Sequence, residues 1–260
     1  MTDTGTNLPA TPEKPNWRIK YKTLHLWMLI PMAFMQWGIF KDYWGDFREN
    51  AWSVHVHYVT GTIWYIYLVI QPWFATHGQM PRHRTNGIIG MFIAGGVCIT
   101  AFSMMHRDMV SAERSAAMPE RFGPFEPWFF YGVAAIEIVM ITAFGYAVIK
   151  SIIHRKQVEN HAWWLITTVF MIMMPALARG IQNVYVKWHL SEMPNVDIMA
   201  PVYFCQLLII LMIMLAAWKY QKLKHPATWI AVAVNLFNML LEPICRSEAV
   251  QEILKNFVKG

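Results

Sequence analysis

The most informative part of the sequence is "HAWWLITTVFMIMMPALARGIQNVYVKW", residues 161–188. Residues 161–186 are mostly apolar, and about 17–25 residues of that kind cross the hydrocarbon core of a bilayer as a helix. Polar and helix-breaking residues recur along it at helical spacing: His161, Thr168, Pro175, Arg179 and Gln182. They share one narrow sector, because a helix turns about 100° per residue and returns to the same face after 18 residues. The stretch therefore predicts a membrane-spanning helix with one polar face.

The same apolar character recurs along all 260 residues of the chain. Hydrophobic residues make up 56 % of it and charged residues 15 %, whereas soluble domains average about 25 % charged residues. Backbone polar groups in hydrocarbon have to be paired within their own segment, so unbroken apolar runs predict helices rather than a barrel. The fold class is thus an all-α, polytopic transmembrane helical bundle of about seven spans. The expected spans are 24–40, 51–74, 87–106, 128–150, 161–186, 200–218 and 226–245.

The two ends of the chain differ from the spans. Residues 1–22 are polar and proline-containing, which predicts a disordered cytoplasmic tail without a cleaved signal peptide. Residues 23–246 form a single transmembrane domain, and residues 247–260 an amphipathic tail at the membrane interface. The loops on the N-terminal side carry twelve Lys and Arg residues and those on the other side nine. This bias predicts a cytoplasmic N-terminus, and the surplus of positive charge indicates topology rather than a nucleic-acid partner.

Two histidines lie one residue apart in "HVHYVTG", residues 55–61. On a helix His55 and His57 point about 200° apart, so they cannot serve one site. The face of His57 continues through Gly61 to Gln71 and carries a polar group near each end of the span. His57 is therefore the residue expected to face the protein interior.

Two further features place polar groups inside the bundle. His83 is followed at +4, +7 and +11 by Gly87, Gly90 and Ala94, a small face on which a neighbouring backbone or a flat cofactor can lie closely. An arginine inside a span costs at least about 2.5–3.5 kcal/mol, so Arg179 should face protein, water or an anionic partner.

The carboxylates complete this pattern. Glu137 lies within the fourth span, and Glu242 continues a polar stripe through the seventh. Two polar layers are expected, since ionisable groups inside a membrane turn toward one another. The outer layer contains His57, Glu137, Arg179 and Glu242, and the inner layer Gln71, His83 and His161.

Three of these segments resemble, in order and spacing, an uncharacterised family of bacterial multi-pass membrane proteins known only as a domain of unknown function. The family pattern is H-x3-G with a later Gln, then H-R-x2-G, then H-x2-W followed by an arginine. The matching positions here are His57, Gly61, Gln71, His83, Arg84, Gly87, His161, Trp164 and Arg179. The resemblance covers roughly residues 55–180 and implies that the histidines form one constellation, without implying an activity. The protein is expected in the bacterial inner membrane.

The main functional hypothesis is a membrane redox protein that binds haem b or passes electrons through it to a quinone. His83 and His161 begin helices at the same membrane depth and are the expected axial pair, and Arg179 would pair with a propionate. The predicted cofactor-binding set is His57, Gln71, His83, His161 and Arg179.

A transition-metal site is the alternative to haem in this redox hypothesis, because imidazole and carboxylate together suit zinc, iron or copper. Its predicted ligands are His57, His106, Glu137 and Glu242. No helix carries an H-x3-H or E-x2-H spacing, so these ligands would have to converge in the tertiary structure.

Two further functions stay open. Nineteen methionines would suit adaptable packing, as in a non-catalytic accessory subunit of a larger membrane complex or a lipid-binding module. A transporter would call for an inverted repeat, which the sequence does not show. Phosphate-binding loops, Ser-His-Asp sets and dinucleotide fingerprints are missing, and the three cysteines have no C-x-x-C spacing, so soluble enzyme chemistry is not indicated.

Overall fold

The computed structural model describes residues 17–259, and in this part of the chain every regular element is helical. The α-helices are α1 Trp17–Lys20, α2 Leu24–Trp27, α3 Leu29–Gly38, α4 Trp52–Thr76, α5 Met80–Ala117, α6 Pro119–Phe122, α7 Pro127–Ile153, α8 Val158–Met171, α9 Met174–Trp188, α10 Met199–Lys219, α11 Pro226–Asn238, α12 Leu241–Cys245 and α13 Glu248–Lys259. A π-helical turn, Phe40–Gly45, follows α3. The predicted all-α fold class is confirmed.

Four segments of the described chain are long and apolar enough to cross a membrane. They are Met80–Ala117, Pro127–Ile153, Val158–Trp188 and Met199–Lys219. The expected number of seven spans is not confirmed. The first and last expected spans are each divided into shorter helices, α2 with α3 and α11 with α12, and a helix of 13 residues covers only about 20 Å at 1.5 Å per residue.

The long helices pack in chain order. α4 lies against α5, α5 against α7, and α7 against α8, while α3 and α10 lie against α9. The connections between α4 and α5 and between α7 and α8 are short, which makes these neighbours antiparallel. The core between them is filled by large buried side chains such as Trp64, Phe144 and Trp163.

The stretch at 161–188 is not one straight helix. α8 ends at Met171, α9 begins at Met174, and Pro175 occupies the first turn of α9. Proline lacks the backbone N–H that would continue the ladder and its ring clashes with the preceding turn. His161 and Arg179 lie in different cavities, since 18 residues of helix separate them by about 27 Å.

α3 and α9 approach each other through two glycines. A Cβ on Gly38 would lie 2.6 Å from the carbonyl carbon of Ala176, and a Cβ on Gly180 would lie 2.8 Å from the Cα of Gly38. Only glycine permits this contact. It brings the turn after α3, which carries Asp42, next to Arg179 on α9.

Both ends of the described chain pack onto the bundle. Residues 17–22, which the sequence assigned to the tail, include α1 and the buried Tyr21, while residues 1–16 lie outside the described residues. At the other end α13 is amphipathic, and its Leu254 packs with Met105 and Tyr131 on α5 and α7. Leu254 of the C-terminal tail therefore contacts protein, whereas Ile253 is exposed.

Candidate functional site

One candidate site is a cavity of about 110 Å³, here called the histidine cavity. Its polar wall includes Tyr21, Gln71, His83 and His161, with Thr76 and Arg155, and its apolar wall includes Leu68, Leu165 and Ile166. Gln71 lies in the last turns of α4, and His83 and His161 in the first turns of α5 and α8. The antiparallel arrangement of these helices brings the three side chains to the same end of the bundle.

The two histidines of this cavity are neighbours. The ring centroids of His83 and His161 are 6.2 Å apart and the ring planes are nearly perpendicular, at 86°. His161 Nδ1 lies 3.0 Å from the Ser151 carbonyl oxygen and 2.7 Å from Ser151 Oγ. Because a carbonyl only accepts, Nδ1 carries the proton and Nε2 is left as the acceptor of the ring.

Several polar atoms of the histidine cavity are buried without a hydrogen-bond partner. They are Tyr21 Oη, His83 Nδ1, and both Nε2 and Oε1 of Gln71. Gln71 is only 3 % exposed, and a buried polar group left unpaired costs about 1–3 kcal/mol. Burial, with Glu159 and Tyr220 nearby, raises the pKa of the Tyr21 phenol, so its hydroxyl stays a donor. Unpaired groups that converge on one space indicate a ligand or ordered water.

The histidine cavity is too small for the expected haem. An apolar cavity of about 150 Å³ takes up one benzene ring, whereas a porphyrin contains four pyrrole rings. Arg179, the expected partner of a propionate, lines a different cavity. The residues of this cavity therefore do not fit a haem at their present spacing.

The second candidate site, here called the carboxylate cavity, has a volume of about 100 Å³. Its polar wall consists of His57, Tyr58, Asp108, Glu137 and Arg179, and the rest is mostly apolar. His57 Nδ1 lies 3.3 Å from Thr100 Oγ1, which itself donates to the Gly96 carbonyl. The Thr100 oxygen therefore accepts from the ring, which assigns the proton of His57 to Nδ1.

Arg179 connects the carboxylate cavity to the turn after α3. Its guanidinium donates to the Tyr58 hydroxyl, and its Nε lies 3.9 Å from Asp42 Oδ2. Asp42 Oδ1 accepts a hydrogen bond from Asn183 at 3.0 Å. Asp108 and Glu137 also interact electrostatically with the arginine. As the sequence predicts, Arg179 faces protein groups.

A wider opening adjoins the carboxylate cavity. This vestibule of about 480 Å³ is lined by four acidic and two basic side chains: Asp42, Asp46, Glu49, Asp108, Arg107 and Arg179. It shares Tyr58, Asp108 and Arg179 with the carboxylate cavity. These three residues form the boundary between the two spaces.

The structure divides the predicted cofactor-binding set. Gln71, His83 and His161 meet in the histidine cavity, while His57 and Arg179 meet in the carboxylate cavity. On α4, His57 and Gln71 are 14 residues or about 21 Å apart.

The predicted metal ligands do not converge. His57 and Glu137 share the carboxylate cavity, but His106 is exposed and Glu242 accepts from Arg246 Nε at 2.9 Å on α12. Among residues 17–259, no group of three His, Cys, Asp or Glu side chains is placed to hold a metal ion.

Sequence reasoning missed Asp108 and Tyr21. Asp108 lies just beyond the expected span 87–106, yet α5 continues to Ala117 and buries it. The buried positions Val97, Ala101, Met104, Asp108 and Ala112 recur every three or four residues along α5. This helical period continues past the apolar segment, and it could have predicted that Asp108 lies on the buried face of a longer helix.

In comparisons with protein-family models, curated proteins and solved structures, nothing matches this chain.

Proposed function

We propose that this chain is a quinone-binding membrane protein whose histidine cavity holds the headgroup of an isoprenoid quinone, in quinone-linked redox chemistry. The observation that carries the proposal is the buried amide of Gln71, both of whose polar atoms lack a partner beside His83 Nδ1 and Tyr21 Oη. A ligand for this cavity has to be no larger than one ring and to carry hydrogen-bonding groups on its rim. Because the cavity of about 110 Å³ is smaller than the cavity of about 150 Å³ that takes up benzene, its walls would have to move apart to admit a quinone headgroup.

The unpaired atoms suit both redox forms of a quinone. A quinone carbonyl accepts hydrogen bonds, whereas a quinol hydroxyl also donates them. Gln71 offers one donor group and one acceptor atom, and the Tyr21 hydroxyl can do either. His161 Nε2, the acceptor of its ring, can hold a proton released by a bound quinol. The same residues can therefore bind the reduced and the oxidised ligand.

The place of the histidine cavity suits a ligand dissolved in lipid. Its polar wall is built at helix ends, and its apolar wall from Leu68, Leu165 and Ile166 can contact the ring face and the first isoprene unit. The four apolar helical segments suit a bilayer environment. We place the protein in a bacterial inner membrane with the histidine cavity on the cytoplasmic side, as the distribution of Lys and Arg predicts.

Binding of a short-chain quinone to the full-length protein in lipid nanodiscs tests this proposal. The loss of tryptophan fluorescence serves as the signal, because Trp17 lines the cavity. Gln71→Leu should weaken binding at least about tenfold, since one lost hydrogen bond is worth about 1.4 kcal/mol or a factor of ten.

Gln206→Leu is the matched control. Gln206 on α10 is fully buried, and both its amide atoms also lack a partner, but it does not line the histidine cavity. Its replacement should leave quinone affinity unchanged. Equal affinities in the wild type and Gln71→Leu, or equal losses in both variants, would contradict quinone binding at this cavity.

Visible spectroscopy of the purified protein tests the haem hypothesis in the same preparation. A reducible Soret band that disappears in His83→Ala or His161→Ala would overturn the quinone proposal and establish haem. A colourless preparation that binds quinone is the expected result.

A further inference from the structure

The carboxylate cavity contains a buried acid with an open oxygen. Glu137 lies in the middle of α7 and is 8 % exposed, and its Oε2 has no hydrogen-bond partner. Burying an ionised carboxylate in an apolar medium is costly unless the charge is paired or neutralised. A group other than a protein side chain therefore has to satisfy this oxygen.

Acidic side chains outnumber basic ones around Glu137. Asp108 on α5 and His57 on α4 face the same cavity, and Arg179 on α9 supplies its cation. That guanidinium also interacts with the Tyr58 hydroxyl and with Asp42. Asp108 and Glu137 thus share a cation with a third carboxylate, and two neighbouring carboxylates are most easily accommodated when they hold a proton between them.

Water can reach this site from one side. The vestibule carries more acidic than basic side chains, and such a cleft raises the local concentration of cations. Asp108 lines both the vestibule and the carboxylate cavity. A cavity of about 100 Å³ also holds a few waters, each of which needs roughly 30 Å³.

We propose that Glu137 is a proton-binding site supplied from the vestibule through Asp108 and through water in the carboxylate cavity. A hydronium ion that reaches the cavity gives its proton to the Glu137 carboxylate, leaving a neutral carboxylic acid and a water molecule. This site is separate from the histidine cavity and does not depend on quinone binding.

The walls of the carboxylate cavity favour a proton over a metal ion. Calcium takes six to eight oxygen ligands and magnesium six in near-octahedral geometry. Apart from the two carboxylates and Tyr58, the cavity is lined mainly by side chains such as Met35, Val97 and Met140. These supply no oxygen ligands, whereas a proton needs only one.

Infrared spectroscopy of the full-length protein in liposomes tests the proposal. As the pH is stepped between 9 and 6, where ordinary Asp and Glu side chains with pKa values near 4 stay ionised, the C=O stretch of a protonated carboxyl group should appear and disappear reversibly. The band should be lost in Glu137→Gln and should remain, at an altered frequency, in Glu137→Asp. The second variant distinguishes loss of the proton site from misfolding.

Two further variants complete the experiment. Glu242→Gln removes a carboxylate that pairs with Arg246 outside this cavity and should leave the band unchanged. Asp108→Asn should slow the response of the band to a rapid pH jump at least about tenfold, because it removes the carboxylate that links vestibule and cavity. The absence of a titrating band in the wild type, or its persistence in Glu137→Gln, would overturn the proton site. An unchanged rate in Asp108→Asn would overturn the proposed route.

Discussion

At the residue scale, His225 shows how one side chain can be held neutral by its partners. Its Nδ1 accepts from the Ala227 N–H at 3.1 Å and so caps the start of α11, while Nε2 hydrogen-bonds to Asn160 Oδ1. An amide oxygen only accepts, so Nε2 carries the single proton of the ring. Burial, with Lys222 and His154 nearby, lowers the pKa of His225 to about 4.

This arrangement makes stability depend on pH. The folded pKa of His225 lies below the unfolded value of about 6.5, so the unfolded chain binds more protons between these values. The contribution of neutral His225 to the free energy of unfolding is fully present above pH 6.5 and is lost as the pH falls toward 4. The loss should be about 1 kcal/mol, because solvent screens a partly exposed ring. Thermal unfolding in detergent between pH 7 and pH 4 measures it.

Asparagine provides the matched variant at this position. His225→Asn keeps an N-cap acceptor but does not titrate, so its unfolding temperature should vary less between pH 7 and pH 4 than that of the wild type. His106→Asn, at an exposed position, should leave the wild-type profile unchanged. Parallel profiles for His225→Asn and the wild type would refute the role of this histidine.

At the element scale, the contact between α3 and α9 positions the carboxylate cavity. Gly38 and Gly180 let the two helices touch. Arg179 precedes Gly180 in the chain, so this contact also places Arg179 beside Asp42. Gly38→Ala would place a methyl group against the backbone at Ala176, where no flexible side chain can move aside. The variant should lose about 2 kcal/mol in the free energy of unfolding, within the usual range for overpacking.

Chemical denaturation of the solubilised protein measures this loss. Gly95→Ala is the control, because a Cβ there meets nothing within 4 Å and alanine is intrinsically favoured in helices by about 1 kcal/mol. It should keep or raise stability. If the two variants unfold alike, α3 and α9 are not in close contact.

At the scale of the whole molecule, one carboxylate ties distant parts of the chain together beside the histidine cavity. Glu159 Oε2 on α8 accepts from Lys20 Nζ at 3.0 Å and from Lys222 Nζ at 2.6 Å. The two lysines come from α1 and from the loop after α10, and both ion pairs are only partly exposed. This bridge holds α1 over the bundle, next to Tyr21 in the cavity wall.

Glu159→Gln should therefore lower the free energy of unfolding by about 1 kcal/mol. The difference from the wild type should shrink in 1 M salt, where charges are screened beyond about 3 Å. Glu242→Gln, which breaks the pair between α12 and Arg246 just after it, should change stability by less than about 0.5 kcal/mol. Thermal unfolding at low and high salt gives both values, and a salt-independent loss in Glu159→Gln would argue against an ionic bridge.

The amino-acid sequence was enough to predict the all-α fold class and the long apolar helices of this protein. The apolar runs predict helices because a bilayer offers the backbone no other partner, and Pro175 predicts a kink in its helix because it lacks an N–H. It also determined that Arg179 and the three histidines of the two layers, His57, His83 and His161, would turn toward protein. Both predictions follow locally from the cost of burying polar groups in hydrocarbon.

The packing of the helices was needed to show which of these groups meet. His161 and Arg179 share a helical face by their spacing, yet they line separate cavities because about 27 Å of helix lies between them. Asp108 joins Glu137 because α5 runs on past the apolar segment, whereas Glu242 turns to Arg246 instead. Helical spacing fixes the face on which a residue lies. Which helix packs against that face depends on side-chain volumes far apart in the chain, such as the missing Cβ atoms of Gly38 and Gly180.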